Sequence, residues 1–100
     1  MVPTNEFMVR FAANLVRARR VAGLSQEEVS IRAAIHRTEL GMLERAIRVP
    51  RLDTFVKLCS ALELTPDKLL DGIEWLRGNT ESDGSSTRSA SPYLSQAQGR

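Results

Sequence analysis

One cysteine and one histidine are all the thiol and imidazole this 100-residue chain holds. Cys59 has no partner for an internal disulfide, and with His36 it falls short of the four ligands of a structural zinc site. No apolar run approaches the roughly 18 residues that cross a bilayer. MVPTNEFMVR lacks the apolar centre of a signal peptide. No membrane partner is therefore expected, and a cytoplasmic protein is. There is no glycine-rich phosphate loop and no nucleophile beside a base, and His36 and Cys59 fall on separate predicted helices. No enzyme activity, metal or cofactor is expected. Strand-like alternation is missing and no repeat is evident. What remains has the length of one domain and is 42% apolar. Its apolar stripes are all needed for a small core, which leaves no small-molecule pocket to expect.

A strong charge is also missing, since the formal total is only +2. It is unevenly spread. Residues 1–51 carry nine arginines against five glutamates, residues 52–77 three bases against five acids, and residues 78–100 two against two. Positive charge gathers in the first half, where it would attract phosphates. By itself it favours an ordinary solvated surface, and it serves only to support a motif found on other grounds.

Helical spacing runs through the first three quarters of the chain. Thr4 or Asn5 can cap a first helix, in which Phe7, Phe11, Leu15, Ala18 and Ala22 form one apolar stripe. Gly23 ends it, because glycine adopts a left-handed terminal conformation at least cost. A fourth helix is predicted over 52–62, with Leu52, Phe55, Leu58, Cys59 and Leu62 inward. Thr65 caps a fifth, with Pro66 at its first position. It is predicted to run through Leu69, Leu70, Ile73 and Leu76 to about Arg77, Leu69 and Leu70 closing the core.

Between these lies LSQEEVSIRAAIHRTELGMLER, Leu24 to Arg45. Ser25 with Glu28 three residues on is a capping box: the hydroxyl accepts the third amide and the carboxylate reaches back to the first. A second helix follows over about 26–33, with Val29 and Ala33 inward. Ala34, Ile35 and His36 form a turn. A third helix spans about 37–45, with Leu40 and Leu43 inward and Arg37, Thr38, Gly41 and Met42 outward. A helix with a small, polar outer face propped on a partner can lie in the DNA major groove.

These residues carry a resemblance. NLVRARRVAG, the LSQEE start, Ser30, Ile35 in the turn, LER at Leu43–Arg45 and RVPRLDTFVKLCSALELTPDKLL together resemble the lambda-repressor-like (Cro/CI, xenobiotic response element) helix-turn-helix domains, from about Phe7 to Leu70. The resemblance implies a five-helix all-α domain that binds double-stranded DNA as a regulator, often a dimeric repressor. It implies that the third helix enters the groove. It also implies that Gln26 bonds a phosphate and buttresses that helix, and that Arg19 and Glu44 form a partly buried ion pair between helices 1 and 3. Ala34, Ala46 and Glu63 stand where the family favours a glycine or small residue. A left-handed conformation there would cost each about 1 kcal/mol.

Arg37 can fork onto guanine O6 and N7, or hold a phosphate, or stay free. Thr38 can bond a base edge or pack on a thymine methyl, and Met42 offers apolar contact to thymine. Ser25, Gln26, His36, Arg45, Arg48 and Arg51 are the expected phosphate contacts, His36 alternatively capping helix 3. Gly41 allows close approach of DNA or is merely tolerated. Glu39 can accept from cytosine N4, but pairing with a nearby arginine is preferred. Cys59 is expected in the core, and Ile31, apolar where helix 2 should face water, is a contact patch.

Residues 1–77 are thus read as the domain and 78–100, with six serines and three glycines, as a disordered tail. Ile73, Trp75 and Leu76 reach past the core on helix 5 and are expected to form a homodimer, or else to fold back on helix 1. A second reading stays open, in which the same face serves a protein-interaction module or antitoxin component.

Overall fold

The computed structural model describes residues 3–74. Five helices follow in order: α1 (Pro3–Ala22), α2 (Gln26–Ala33), α3 (Arg37–Glu44), α4 (Leu52–Leu62) and α5 (Pro66–Leu69). No strand occurs among the described residues. Helix α1 begins at Pro3, so Thr4 and Asn5, expected as caps, lie within its first turn. Proline suits that position because its missing N–H would have no helical partner.

Phe11 and Leu15 of α1, Val29 of α2, Leu40 and Leu43 of α3, Leu58 of α4 and Leu69 of α5 are all but fully buried, and Cys59 joins them. Each helix contributes the stripe that its spacing predicts, so five short elements close one core. Three expected core positions, Ala22, Leu52 and Leu70, are outside it. Ala22 is exposed, because α1 ends there and the chain turns away at Gly23. Leu52 is 78% exposed. At the first turn of α4 it is Thr54 that meets α3, through Glu39, and two residues along a helix point to nearly opposite sides.

Helices α1 to α4 end alike. Each closes with paired backbone bonds around one left-handed residue: Gly23, Ala34, Ala46 and Glu63, with φ between +55° and +74°. This is the Schellman closure, which occupies carbonyls a helix end would otherwise leave unpaired. Only Gly23 adopts it without a Cβ penalty. The other three carry a local strain that burial elsewhere offsets.

Helix α5 is shorter than its spacing predicts. It stops at Leu69, and Leu70, expected in the core, is exposed. The buried side chain of Asn14, which sequence patterning does not single out, binds the chain where the helix ends. Its Nδ2 donates to the carbonyls of Leu69 at 2.8 Å and Asp71 at 3.0 Å. A continuing helix needs the Leu69 carbonyl for the Ile73 amide. That amide bonds Leu70 instead, and Gly72 turns the chain at φ +78°. Ile73 then packs against the core. The residue expected at a dimer contact is thus partly spent within the monomer. Trp75, Leu76 and the 78–100 tail lie outside the described residues.

One polar link orients α3. Arg19 of α1 meets Glu44 of α3 with both arms of its fork: Nε–H to Oε2 at 2.7 Å and Nη2–H to Oε1 at 3.1 Å. Its Nη1 donates to the Leu24 carbonyl at 3.0 Å, reaching the entry of α2. The side chains are only 14% and 5% exposed. The hydrogen bond and charge of Glu44 raise the Arg19 pKa, against the effect of burial.

Two stability outcomes follow from this geometry. Arg19→Ala strands a buried carboxylate that retains only Gln26, and stability should fall by about 3 kcal/mol. Urea unfolding measures this, and Arg19→Ala/Glu44→Gln should recover part of the loss; an unchanged midpoint in the single variant would remove the pair from the ledger of stabilising contacts. At exposed Glu63 the left-handed penalty of about 1–2 kcal/mol exceeds the roughly 0.4–1 kcal/mol that glycine costs through the unfolded chain. Glu63→Gly should therefore raise Tm by several degrees while Glu63→Ala does not. Equal melting of both variants would refute the strain.

Candidate nucleic-acid interface

The surface in question is built by α2, the turn after it, and α3. Ser25 precedes α2 in an extended conformation. Its Oγ accepts the Glu28 amide at 3.0 Å, while a Glu28 carboxylate oxygen accepts the Ser25 amide at 2.7 Å. Those bonds hold the Glu28 carboxyl below its ordinary pKa. The Ser25 hydroxyl proton is not used in the cap and points to no partner among the described residues. The turn is set by Ala34 at φ +58°, with the Ile35 amide bonded to the Ser30 carbonyl at 3.0 Å.

Helix α3 is two-sided. Leu40 and Leu43 are 0% exposed. Arg37, Thr38 and Arg45 are exposed, and Met42 is half-buried. The sequence reading placed Gly41 outward and bare, but Gly41 is buried. The guanidinium of Arg45 folds back beside it. A Cβ built on Gly41 would lie 3.2 Å from Arg45 Nη1.

Gln26, at the first position of α2, donates from Nε2 to Glu44 Oε1 at 2.8 Å. The carboxylate of Glu44 therefore gathers α1, through Arg19, and α2, through Gln26, onto the end of α3. A carboxamide carries two N–H donors, so one remains without a partner among the described residues. His36 occupies the cap position of α3, but its side chain makes no capping bond. The imidazole is exposed instead, and of the two roles anticipated for it capping is excluded.

Glu39 has no arginine partner among the described residues, contrary to the preferred expectation. The Thr54 hydroxyl donates to it over a long 3.4 Å. Thr54 is buried, so this contact ties α3 to α4 rather than facing a groove. Arg51 precedes α4 and pairs with Asp53 at 3.2 Å, both exposed. Arg48 is exposed and unpaired among the described residues. A cleft between the α2–α3 turn and the start of α4 brings His36, Glu39, Arg51, Thr54 and Lys57 together. Lys57 was not singled out by sequence; only its position one turn after Asp53 could have marked it. Ile31 is 71% exposed on α2.

The geometry is that of two helices crossing through a tight turn, the second offering its outer face to solvent. Comparison with known proteins agrees. The model of the helix-turn-helix domain family matches residues 10–71. Among solved structures, the chain is similar to the restriction-modification controller protein C.AhdI from Aeromonas hydrophila. The two are 34% identical, with a TM-score of 0.61, over 62% of this chain and 94% of that one. It is also similar to an HTH_3 family transcriptional regulator from Vibrio cholerae, at 25% identity and a TM-score of 0.65. That match covers 67% of this chain but 38% of the other, so the likeness is to one part of the regulator. No curated protein gives a significant match. With the family model spanning more than half the sequence and the five-helix order that the residues predict, the chain belongs to the lambda-repressor-like helix-turn-helix domain family.

Proposed function

We propose that this chain is a sequence-specific regulator of transcription that binds double-stranded DNA and represses, entering the major groove with α3. One observation carries the reading: α3 buries Leu40 and Leu43 completely while leaving Arg37 and Thr38 exposed at its first turn. The N-terminal residues of such a helix are those that reach base edges. Arg37 forks onto guanine, Thr38 bonds an edge or a thymine methyl, and Met42, one turn on, adds apolar contact. Ser25 and Gln26, each with a donor to spare, and His36 and Arg48 hold phosphates. Arg51 does so more weakly, because Asp53 shares its fork. The two similar structures, one a transcriptional regulator and the other a restriction-modification controller, support the same class of function.

Binding as a homodimer completes the proposal. One helix in one groove gives limited specificity, whereas two copies read half-sites about 34 Å apart. Sequences selected from a randomised duplex library test both parts at once. Paired, inverted half-sites at that spacing mark a dimer, and a lone half-site marks a monomer. Failure to retain any duplex at low salt would favour a protein-binding face built on exposed Ile31.

Replacing Arg37 and Thr38 together with alanine should abolish base preference, a loss of about 1–3 kcal/mol of discrimination for the arginine alone. Circular dichroism should remain native. A folded double variant with intact preference would show that this surface is not the reader. Arg48→Ala should weaken all duplexes alike and lower the slope of log affinity against log salt by about one. A slope equal to the parent's would take Arg48 off the phosphates.

A further inference from the structure

The sequence places Arg45 just past α3, among basic residues suited to phosphates. Its position in the structure is different. The side chain does not extend away from the helix end; it folds back along α3 and covers Gly41. Side chains on a helix lean toward its N-terminus, and the missing Cβ at Gly41 leaves a slot where this one can lie. Arg45 follows Thr38 by seven residues, two turns, so both stand on one line of the helix surface. Folding back by one turn brings the fork level with Gly41, about 4–5 Å along the helix axis from Thr38. No carboxylate or carbonyl holds the guanidinium among the described residues. The fork is exposed, planar and free on the face that the proposed function turns toward DNA.

We propose that Arg45 is a specificity-determining residue that reads a guanine in the major groove, and that Gly41 is the positioning residue that lets its fork lie on the reading face. This rests on the reading of α3 as the groove helix. It explains why a helix of eight residues carries a glycine in its interior, where alanine would favour the helix. It also assigns a guanine beyond the one Arg37 takes, displaced along the site by the separation of the two forks.

The two residues can be tested without unfolding the domain. Gly41→Ala improves helix propensity, and its Cβ pushes only the far end of a flexible side chain. Arg45→Lys keeps the positive charge but not the planar fork. The parent and both variants are taken through selection on a randomised duplex library at fixed salt, with Tm and the salt slope measured in parallel. The expected result is a guanine preference in the parent that falls about tenfold or more in Arg45→Lys at that one position, with the salt slope unchanged. Gly41→Ala should lose the same position while melting no lower than the parent. If Arg45→Lys keeps every preference, or Arg45→Ala weakens all duplexes equally and lowers the slope by one, Arg45 is a phosphate contact and the proposal falls alone. If Gly41→Ala retains the guanine, the slot does not position the fork. If the parent itself shows no preference among duplexes, the groove reading falls and takes this proposal with it.

Discussion

The carboxylate of Glu44 is the point on which the rest of the structure leans. Arg19 grips it with two N–H groups and Gln26 with a third, so α1, α2 and α3 meet at one anion. A hydrophobic core constrains the distance between helices more tightly than their rotation, because apolar contact is not directional. A forked ion pair is directional. Buried among helices whose contact faces are mostly leucine and alanine, it supplies an angular reference that packing alone lacks. Orientation is what the proposed reading role requires, since a small rotation of α3 about its axis would turn the line that Thr38 and Arg45 share toward a different side of the molecule.

The same helix bundle tolerates local strain. Three of its helix ends place a side-chain-bearing residue in the left-handed region, where glycine would sit without penalty. They do so because the Schellman closure occupies carbonyls that would otherwise be unpaired at each end. At α5 a side chain does that work instead: Asn14, from across the core, takes the carbonyls of Leu69 and Asp71. Polar closure thus limits how far each helix extends, and apolar burial holds the helices together.

Much of this was legible from residue order. The capping box at Ser25 and Glu28, the bounds of α2 and α4, and the inward leucines follow from local chemistry and the 3.6-residue period. At three departures from the reading, a residue outside the local stretch is involved. Leu52 fits the apolar period of α4, yet the side that meets α3 at that turn belongs to Thr54. Ile73 fits a longer α5, yet the chain turns at Gly72 where Asn14, more than fifty residues earlier, binds the carbonyls of Leu69 and Asp71. Glu39 was matched to arginines nearby in sequence and instead faces a threonine of the next helix.

Sequence alone therefore determined the order of the helices, the capping box of α2 and most of the inward faces, because these depend on neighbours within about four residues; the caps expected at Thr4 or Asn5, at His36 and at Thr65 did not form. The tertiary structure decided where α5 stops, which partner Glu39 takes, and that Leu52 stays outside the core. Those outcomes hang on which polar and apolar groups distant segments bring together, and that is settled only when those segments occupy the same space.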